Sequence, residues 1–172
     1  MSQNSFKTSF RVTWVDTDAV GVVHYSNYFR FFERAEEEFY RHLGFGFKDF
    51  REKGLWFPRV EAFCQYKKPA RYDDLLEVEV SVEELKEKAA KLGFRVVNKE
   101  TTDLIAFGHL VIVAADKQAG RATQIPADIV EKLKPFAKQI LYETPILDFL
   151  SVTCVGVCSL ALHCRLEMHT VW

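Results

Sequence analysis

The sequence predicts an α+β fold in which an antiparallel sheet of about five strands curls around one long helix. Residues 6–15 are rich in Phe, Val, Thr and Trp, which is typical of a strand. Helical periodicity follows from about Ser26 to Leu43, and four further strand-like segments come after it. Because short polar turns join these strands, we expect neighbours to pair antiparallel. At 172 residues, the chain has the length of one domain with a packed core.

The predicted helix has one strongly aromatic face. Apolar residues recur at helical spacing at Tyr28, Phe32, Ala35, Phe39 and Leu43. We expect Ser26 or Asn27 to cap its start and Gly44 to end it. Arg34 and residues 36–38 are interpreted as a solvated face. A surface helix does not need so many aromatic residues, so the sheet is expected to wrap around it.

The four later strands are predicted in the segments PRVEAFCQYKKP, LLEVEVSVEELK, LGFRVVNKETT and IAFGHLVIVAADK. The second alternates cleanly, with Leu76, Val78, Val80 and Val82 on one face. Residues 44–57 are interpreted as a glycine-punctuated connection, and residues 127–139 as a short helix weakened by Pro135.

Composition and charge exclude several classes of partner. The net charge of -1 gives no global positive field, so we expect no nucleic-acid partner and no membrane surface. The N-terminal residues lack an apolar core of signal-peptide length, which favours a cytoplasmic location. Cys64 is alone in the body of the chain and no CxxC pair occurs, so free thiols are expected and a metal site is not.

The last thirty residues differ from the rest. We expect a domain at residues 1–142 and an apolar tail at residues 143–172, which contains three cysteines. Asp148 interrupts the apolar run, which makes a membrane helix a poor interpretation. A further strand, a partner-packing segment and an addition that is no part of the fold remain open.

The stretch DTDAVGVVHYSNY between the first strand and the helix contains the candidate catalytic residues. Asp16 and Asp18 are turn formers, and a turn is the simplest role for either alone. An apolar run follows Asp18, however, and a carboxylate that loses hydration becomes a stronger base and nucleophile. Gly21 has no side chain, so a ligand or another backbone segment can come close to the chain there. The free amides at the start of the helix can bind the oxyanion of an attacked carbonyl. This arrangement would suit acyl transfer.

The stretch DTDAVGVVHYSNYFRFFERAEEEFYRHLG resembles the signature of the hotdog-fold acyl-CoA thioesterases, the group that includes 4-hydroxybenzoyl-CoA thioesterase. Its pattern of two acids, Gly, Val, Tyr and Glu is met by Asp16, Asp18, Gly21, Val23, Tyr28 and Glu33. The segment YKKPARYDDLLEVEV resembles the strand–turn–strand that follows the helix in that family. The similarity covers about residues 6–140.

The resemblance implies specific roles. Asp18 would be the catalytic carboxylate, acting as nucleophile or as general base, and the backbone N–H of Tyr25 would hold the thioester oxygen. Many relatives have Tyr-His where this chain has His24-Tyr25, which weakens a direct catalytic role for the histidine. Asp16 would fix the loop. The residues expected to contact the substrate are His24, Gly21, Tyr28 and Glu33, together with Lys86, Lys88 and Lys91 in a turn that would meet the nucleotide.

The predicted function is hydrolysis of an acyl-CoA thioester to a free acid and CoA, without cofactor or metal, by a homodimer or homotetramer. The alternative is a non-catalytic acyl-CoA-binding or regulatory module of the same fold. A hydratase is less well supported, because the His and acid spacing that it needs is absent. A partner-binding scaffold that uses the tail also remains open.

Overall fold

The structure is a computed structural model that describes residues 4–141. Its strands are β1 (Phe6–Arg11), β2 (Leu55–Trp56), β3 (Arg59–Tyr66), β4 (Leu75–Lys86), β5 (Ala89–Asn98), β6 (Leu104–Val113), β7 (Ala115–Asp116), β8 (Arg121–Ala122) and β9 (Ala137–Leu141). Its helices are α1 (Asn27–His42), α2 (Phe47–Glu52) and α3 (Ala127–Leu133). The proposed boundary at residue 142 and the tail beyond it lie outside the described residues.

The main sheet has the order β1-β4-β5-β6-β3, and every pair along this path is antiparallel. Strand β9 runs parallel to the distal half of β4, beyond the residues that pair with β1. A small second sheet has the order β2-β7-β8. The sheet packs on α1, so the predicted α+β hotdog architecture is confirmed.

The aromatic face of α1 fills the core. Phe31, Phe32, Ala35 and Phe39 are fully buried, and the Phe32 ring stacks on Phe94 of β5 with centroids 4.6 Å apart. The predicted inward face of β4 is also confirmed: Leu76, Val78, Val80 and Val82 have no exposed surface. Each such side chain contributes about 1.5–3 kcal/mol relative to exposure, so helix and sheet stabilise each other.

The predicted end of α1 is confirmed, and Ser26 occupies the N-cap position as predicted, but its side chain makes no capping hydrogen bond. Gly44 has φ +74°, the left-handed conformation that glycine adopts without strain after a helix. At the start, no side chain caps the helix amides. The Ser26 hydroxyl bonds the ring of His24, and the Asn27 side chain donates to the Asp16 carbonyl at 2.9 Å. These side chains tie the helix to the preceding loop instead.

Three segments differ from the sequence interpretation. β1 ends at Arg11, and Trp14–Asp16 form a short 3-10 turn. The connection at 44–57 contains α2 and β2, because the Asp49 carboxylate accepts the Gly46 N–H at 2.7 Å and starts a helix. Residues 137–139 belong to β9 rather than to a helix, since the chain leaves α3 through a 3-10 turn that contains Pro135.

β3 forms an open edge of the main sheet. It pairs with β6 on one side, and no other strand within residues 4–141 pairs with it. All its residues are exposed except Cys64, which is half-buried. The contact between β3 and β6 is close at Gly108, where a methyl group would lie 2.1 Å from the Phe63 carbonyl oxygen.

No helix within residues 4–141 is long and apolar enough to cross a membrane.

Candidate active site

The loop between β1 and α1 is a tight hairpin at residues 16–24. Thr17 and Val23 form an antiparallel bridge, and the Asp18 N–H donates to the Val22 carbonyl at 2.9 Å. Gly21 turns the chain with φ +80°, a conformation that costs other residues strain. The hairpin thus holds Asp18 near its tip, and α1 begins shortly after it.

Asp16 holds this hairpin together. Its side chain is buried, and its Oδ2 accepts the amide of Thr13 at 2.8 Å and the hydroxyl of Thr13 at 2.5 Å. Its carbonyl accepts the N–H of His24 at 2.9 Å and the side-chain amide of Asn27. With these bonds made, Asp16 has the contacts of a loop-fixing residue.

Asp18 is the more open carboxylate. It is half-buried, and its Oδ1 accepts the Val20 N–H at 2.8 Å and, more weakly, the Val22 N–H at 3.5 Å. Its Oδ2 has no hydrogen-bond partner among residues 4–141. The apolar setting expected around it is incomplete in one chain, since the neighbouring Val20 is 80% exposed. Asp18 is therefore oriented by the backbone and keeps one oxygen available.

Tyr25 and His24 lie where the loop becomes α1. The Tyr25 N–H has no acceptor within the described part of the chain, and its carbonyl accepts the hydroxyl of Tyr66 at 3.2 Å. The Tyr25 side chain is 66% exposed. The Nδ1 of His24 lies 2.8 Å from the Ser26 hydroxyl, which fixes the half-buried ring beside Tyr25. The free amide and the Asp18 carboxylate thus belong to one loop.

Two of the predicted contact residues lie apart from the loop surface. Tyr28 is only 3% exposed, and its ring packs on Tyr66 at 5.0 Å. Burial raises the pKa of Tyr28 to about 12, so it stays protonated beneath the loop. Glu33 is exposed on α1. Burial lowers the pKa of Arg59, but the charge and hydrogen bond of Glu36 raise it overall, and the charge of Glu33 adds a smaller increase. Gly21 and His24, in contrast, lie in the hairpin itself.

The three predicted nucleotide-contacting lysines are remote from Asp18 in the same chain. Lys86, Lys88 and Lys91 lie at the β4–β5 turn, whereas the loop joins the sheet at the other end of β4. The twelve residues of β4 span about 40 Å. Lys86 pairs with Glu84 at 3.3 Å, and Lys91 pairs with Glu83 at 3.4 Å.

Other cations lie beside the loop. Arg71 forms an isolated bridge with Val22, and the carbonyl of Ala70 accepts the Val23 N–H at 2.8 Å. Lys67 and Lys68 follow the end of β3 in the same segment. Lys68 pairs with Asp103, while no acid within residues 4–141 pairs with Arg71. Within the described residues, no cluster of His, Cys, Asp and Glu could hold a metal ion.

A buried acid in α1 was not expected from the sequence. Glu36, interpreted as part of a solvated face, is 1% exposed, so that interpretation is wrong for Glu36, whereas Arg34 and Glu38 are exposed. It accepts the Tyr40 hydroxyl at 2.7 Å and an Nη2–H of Arg59 at 2.5 Å. Burial and the negative charge of Glu36 raise the pKa of Tyr40 well above its ordinary value. The burial of Glu36 could have been detected from its spacing, since Glu36 lies four residues from both Phe32 and Tyr40 on the aromatic face.

An apolar groove of about 510 Å³ lies at the other end of β3. Phe50, Trp56 and Phe57 supply aromatic walls, and Lys48, Arg51 and Lys117 lie at its margin, with Phe47, Leu55 and Pro58 completing the lining. Its size is that of a small-molecule site.

Comparison with known proteins decides the family. The model of the thioesterase-like superfamily matches residues 12–133. The chain belongs to this family. The match includes the hairpin, α1 and strands β3 to β6, so the loop described above lies within the shared region.

Individual relatives support the same assignment. The acyl-CoA thioester hydrolase YbgC of Escherichia coli O157:H7 is 31% identical over 134 residues, which cover 78% of this chain and 99% of that protein. A crystal structure of a hypothetical protein from Aquifex aeolicus has 36% identity and a TM-score of 0.70, with 74% of this chain and 98% of that chain covered. The structure of the gentisyl-coenzyme A thioesterase BH1999 has 32% identity and a TM-score of 0.66, with 75% and 99% covered.

Proposed function

We propose that this protein hydrolyses an acyl-CoA thioester to a free acid and CoA at the loop between β1 and α1. The observation that carries the proposal is the presence of two groups in that loop: the Asp18 carboxylate, with one oxygen that has no partner among residues 4–141, and the Tyr25 N–H, which has no acceptor there. Family membership supports the reaction class, and the names of YbgC and of the gentisyl-coenzyme A thioesterase support the CoA thioester.

The two groups divide the chemistry. The Tyr25 N–H would donate a hydrogen bond to the thioester oxygen as it becomes negative. Asp18 would either attack the carbonyl carbon or remove a proton from an attacking water. In the first case CoA leaves as a thiolate, and water then hydrolyses the mixed anhydride. In the second case water adds directly, and the thiolate leaves afterwards. Both paths end in the carboxylic acid, CoA and an unchanged Asp18.

The phosphates of CoA need cations, and the chain has two groups of them. Lys67, Lys68 and Arg71 lie on the segment that bridges the loop, so they suit the nucleotide of a substrate bound in the same chain. Lys86, Lys88 and Lys91 lie at the far end of β4 and can serve a site only from another subunit. The predicted role of these three lysines therefore depends on the assembly.

A homodimer or a homotetramer built from it is part of the proposal. The open edge of β3 carries exposed apolar side chains, including Val60, Phe63 and Tyr66. Pairing of two copies would satisfy the edge and cover these side chains. A cytoplasmic location is also proposed, and the free, half-buried thiol of Cys64 fits a reducing compartment.

The test is release of thiol from a panel of aliphatic and aromatic acyl-CoAs, read with a thiol-reactive dye after subtraction of the protein thiols. Asp18→Asn keeps the size of the side chain but removes its charge, and should lower kcat at least about 100-fold. Asp128→Asn, an exposed aspartate of α3, is the matched control and should keep full activity.

Two results would overturn the proposal. Full activity of Asp18→Asn would remove the carboxylate from the mechanism. Binding of acyl-CoA to the wild type without release of thiol would favour the non-catalytic acyl-CoA-binding module.

A further inference from the structure

We infer that Tyr66 of β3 is a positioning residue, whose hydroxyl holds the backbone of Tyr25 so that its N–H is ready to receive the thioester oxygen. The Tyr66 hydroxyl donates to the Tyr25 carbonyl at 3.2 Å, although 41 residues separate the two in the chain. This inference rests on the proposed function, in which the Tyr25 N–H binds the oxyanion. It adds a residue that acts through that amide.

Hydrogen bonds restrain both peptide units that flank Tyr25. In the preceding unit, the His24 carbonyl accepts the Asn27 N–H at 2.9 Å. Because the C=O and N–H of a trans peptide point in opposite directions, this bond directs the Tyr25 N–H away from Asn27. In the following unit, the Tyr25 carbonyl accepts the Tyr66 hydroxyl, and the Ser26 N–H donates to Nδ1 of His24 at 3.4 Å. The backbone of Tyr25 is thus held on both sides.

Tyr66 differs from the other restraints because it belongs to the sheet. The bonds made by Asn27 and His24 lie within the loop and the start of α1, so they move together with the loop. Tyr66 is the last residue of β3 and pairs with Ala106 of β6. Its bond therefore fixes the Tyr25 backbone relative to the sheet. An oxyanion donor must be in place before the reaction, since a displacement of about 1 Å can cost about 100-fold in rate.

The packing of the Tyr66 ring fixes the place of its hydroxyl. The ring makes an edge-to-face contact with Tyr28 with centroids 5.0 Å apart, and Tyr28 is buried in the first turn of α1. Burial raises the pKa of Tyr66, so the hydroxyl keeps its proton at neutral pH and donates. The two parts of the side chain thus have separate roles: the ring packs on the helix, and the hydroxyl contacts the loop.

Tyr66→Phe removes this hydroxyl and keeps the ring. We expect kcat for the preferred acyl-CoA of the panel to fall about tenfold and KM to change less than about twofold, because the donor moves while the binding surface stays intact. Tyr72→Phe is the matched control, since it removes the hydroxyl of a tyrosine that is 63% exposed in the turn after Arg71. This control should keep full activity.

Two CoA analogues separate positioning from binding and from folding. A trifluoromethyl ketone of CoA forms a tetrahedral adduct with a negatively charged oxygen, whereas a CoA thioether of equal length has no carbonyl. Calorimetric titration should show a dissociation constant for the ketone that is about tenfold higher in Tyr66→Phe than in the wild type. The dissociation constant for the thioether should change less than about twofold. A general loss of structure would instead weaken both analogues to the same extent.

The outcomes distinguish this inference from the proposed function. An unchanged kcat in Tyr66→Phe, or equal weakening of the two analogues, would overturn the role of Tyr66 while the wild type still releases thiol. A fall of the same size in Tyr72→Phe would overturn it as well, because the effect would not depend on the bond to Tyr25. Absence of thiol release by the wild type would overturn both the inference and the thioesterase proposal.

Discussion

Two carboxylates of the same structure, Glu36 and Asp18, lie in opposite surroundings. Glu36 is 1% exposed in the middle of α1 and is hydrogen-bonded by Tyr40 and Arg59. Asp18 is half-buried near the tip of a hairpin, and within residues 4–141 its carboxylate accepts hydrogen bonds from backbone amides alone. Glu36 lies on the aromatic face of a helix, whereas Asp18 precedes a glycine turn.

The difference separates stability from reactivity. A buried acid whose oxygens are bonded to protein groups holds elements together, and its removal leaves unpaired polar groups in the core. An acid with an uncommitted oxygen contributes little to folding but is available to a substrate. The comparison predicts that stability and activity respond to different carboxylates.

The largest expected loss of stability comes from Glu36→Gln. It leaves the Arg59 guanidinium without its counter-ion, which should lower the free energy of unfolding by about 3 kcal/mol in urea titrations. Arg59→Met alone should also destabilise the protein. The double variant should lose less than the sum of the two, because neither unpaired charge remains. Additive losses would show that the pair does not act as a unit.

A smaller effect is expected from Tyr28 at alkaline pH. Burial raises its pKa from 10.0 to about 12, so the unfolded chain loses this proton first. Tyr28 therefore stabilises the fold fully below pH 10, and this contribution is lost as the pH rises towards 12. Urea titrations across this range should show a shallower decline for Tyr28→Phe than for the wild type. Parallel curves would mean that Tyr28 ionises in the folded protein as readily as in the unfolded chain.

Asp128 tests an exposed ion pair. Its side chain lies 3.0 Å from Lys53, whose hydrogen bond lowers the pKa of Asp128. Because solvent screens this pair, Asp128→Asn should change the free energy of unfolding by less than about 1 kcal/mol. Salt titration of both proteins checks the cause, since the small difference should vanish at high ionic strength.

Asp18→Asn should have the smallest effect on stability, within about 0.5 kcal/mol, although it is expected to lower kcat at least about 100-fold. Thermal unfolding of the same preparations used for thiol release measures this directly. A loss as large as that of Glu36→Gln would assign Asp18 to the architecture of the loop and would remove the basis of the comparison.

Elements with a clear period were predictable from the sequence. The aromatic spacing of α1, the alternation of β4 and the glycine at residue 44 each favour one local structure, and the packing of the fold is compatible with it. The hairpin was also accessible, because the residues that form it are contiguous. The bonding of Ser26 at the start of α1 was not predictable, since its hydroxyl bonds the ring of His24, two residues away, instead of the helix amides.

Relations between distant segments were not predictable. The burial of Glu36 depends on Arg59, which is 23 residues further along the chain. The groove needs α2, β2 and Lys117 of the β7–β8 connection, and none of these has a strong period. The separation of Lys86 from Asp18 follows from the direction of β4, which becomes clear only when the strands are ordered.

Gly108 connects the packing of the core to the proposed subunit interface. A methyl group at this position would meet both the Phe63 carbonyl and the Phe32 ring, the latter at 2.9 Å. Gly108→Ala would therefore push the middle of β3 away from its neighbour. With the proposed pairing, that displacement would reach the β3 edge of another polypeptide. Natural selection on assembly would then act on a residue that is buried within each subunit, through the fit between two gene products from the same allele.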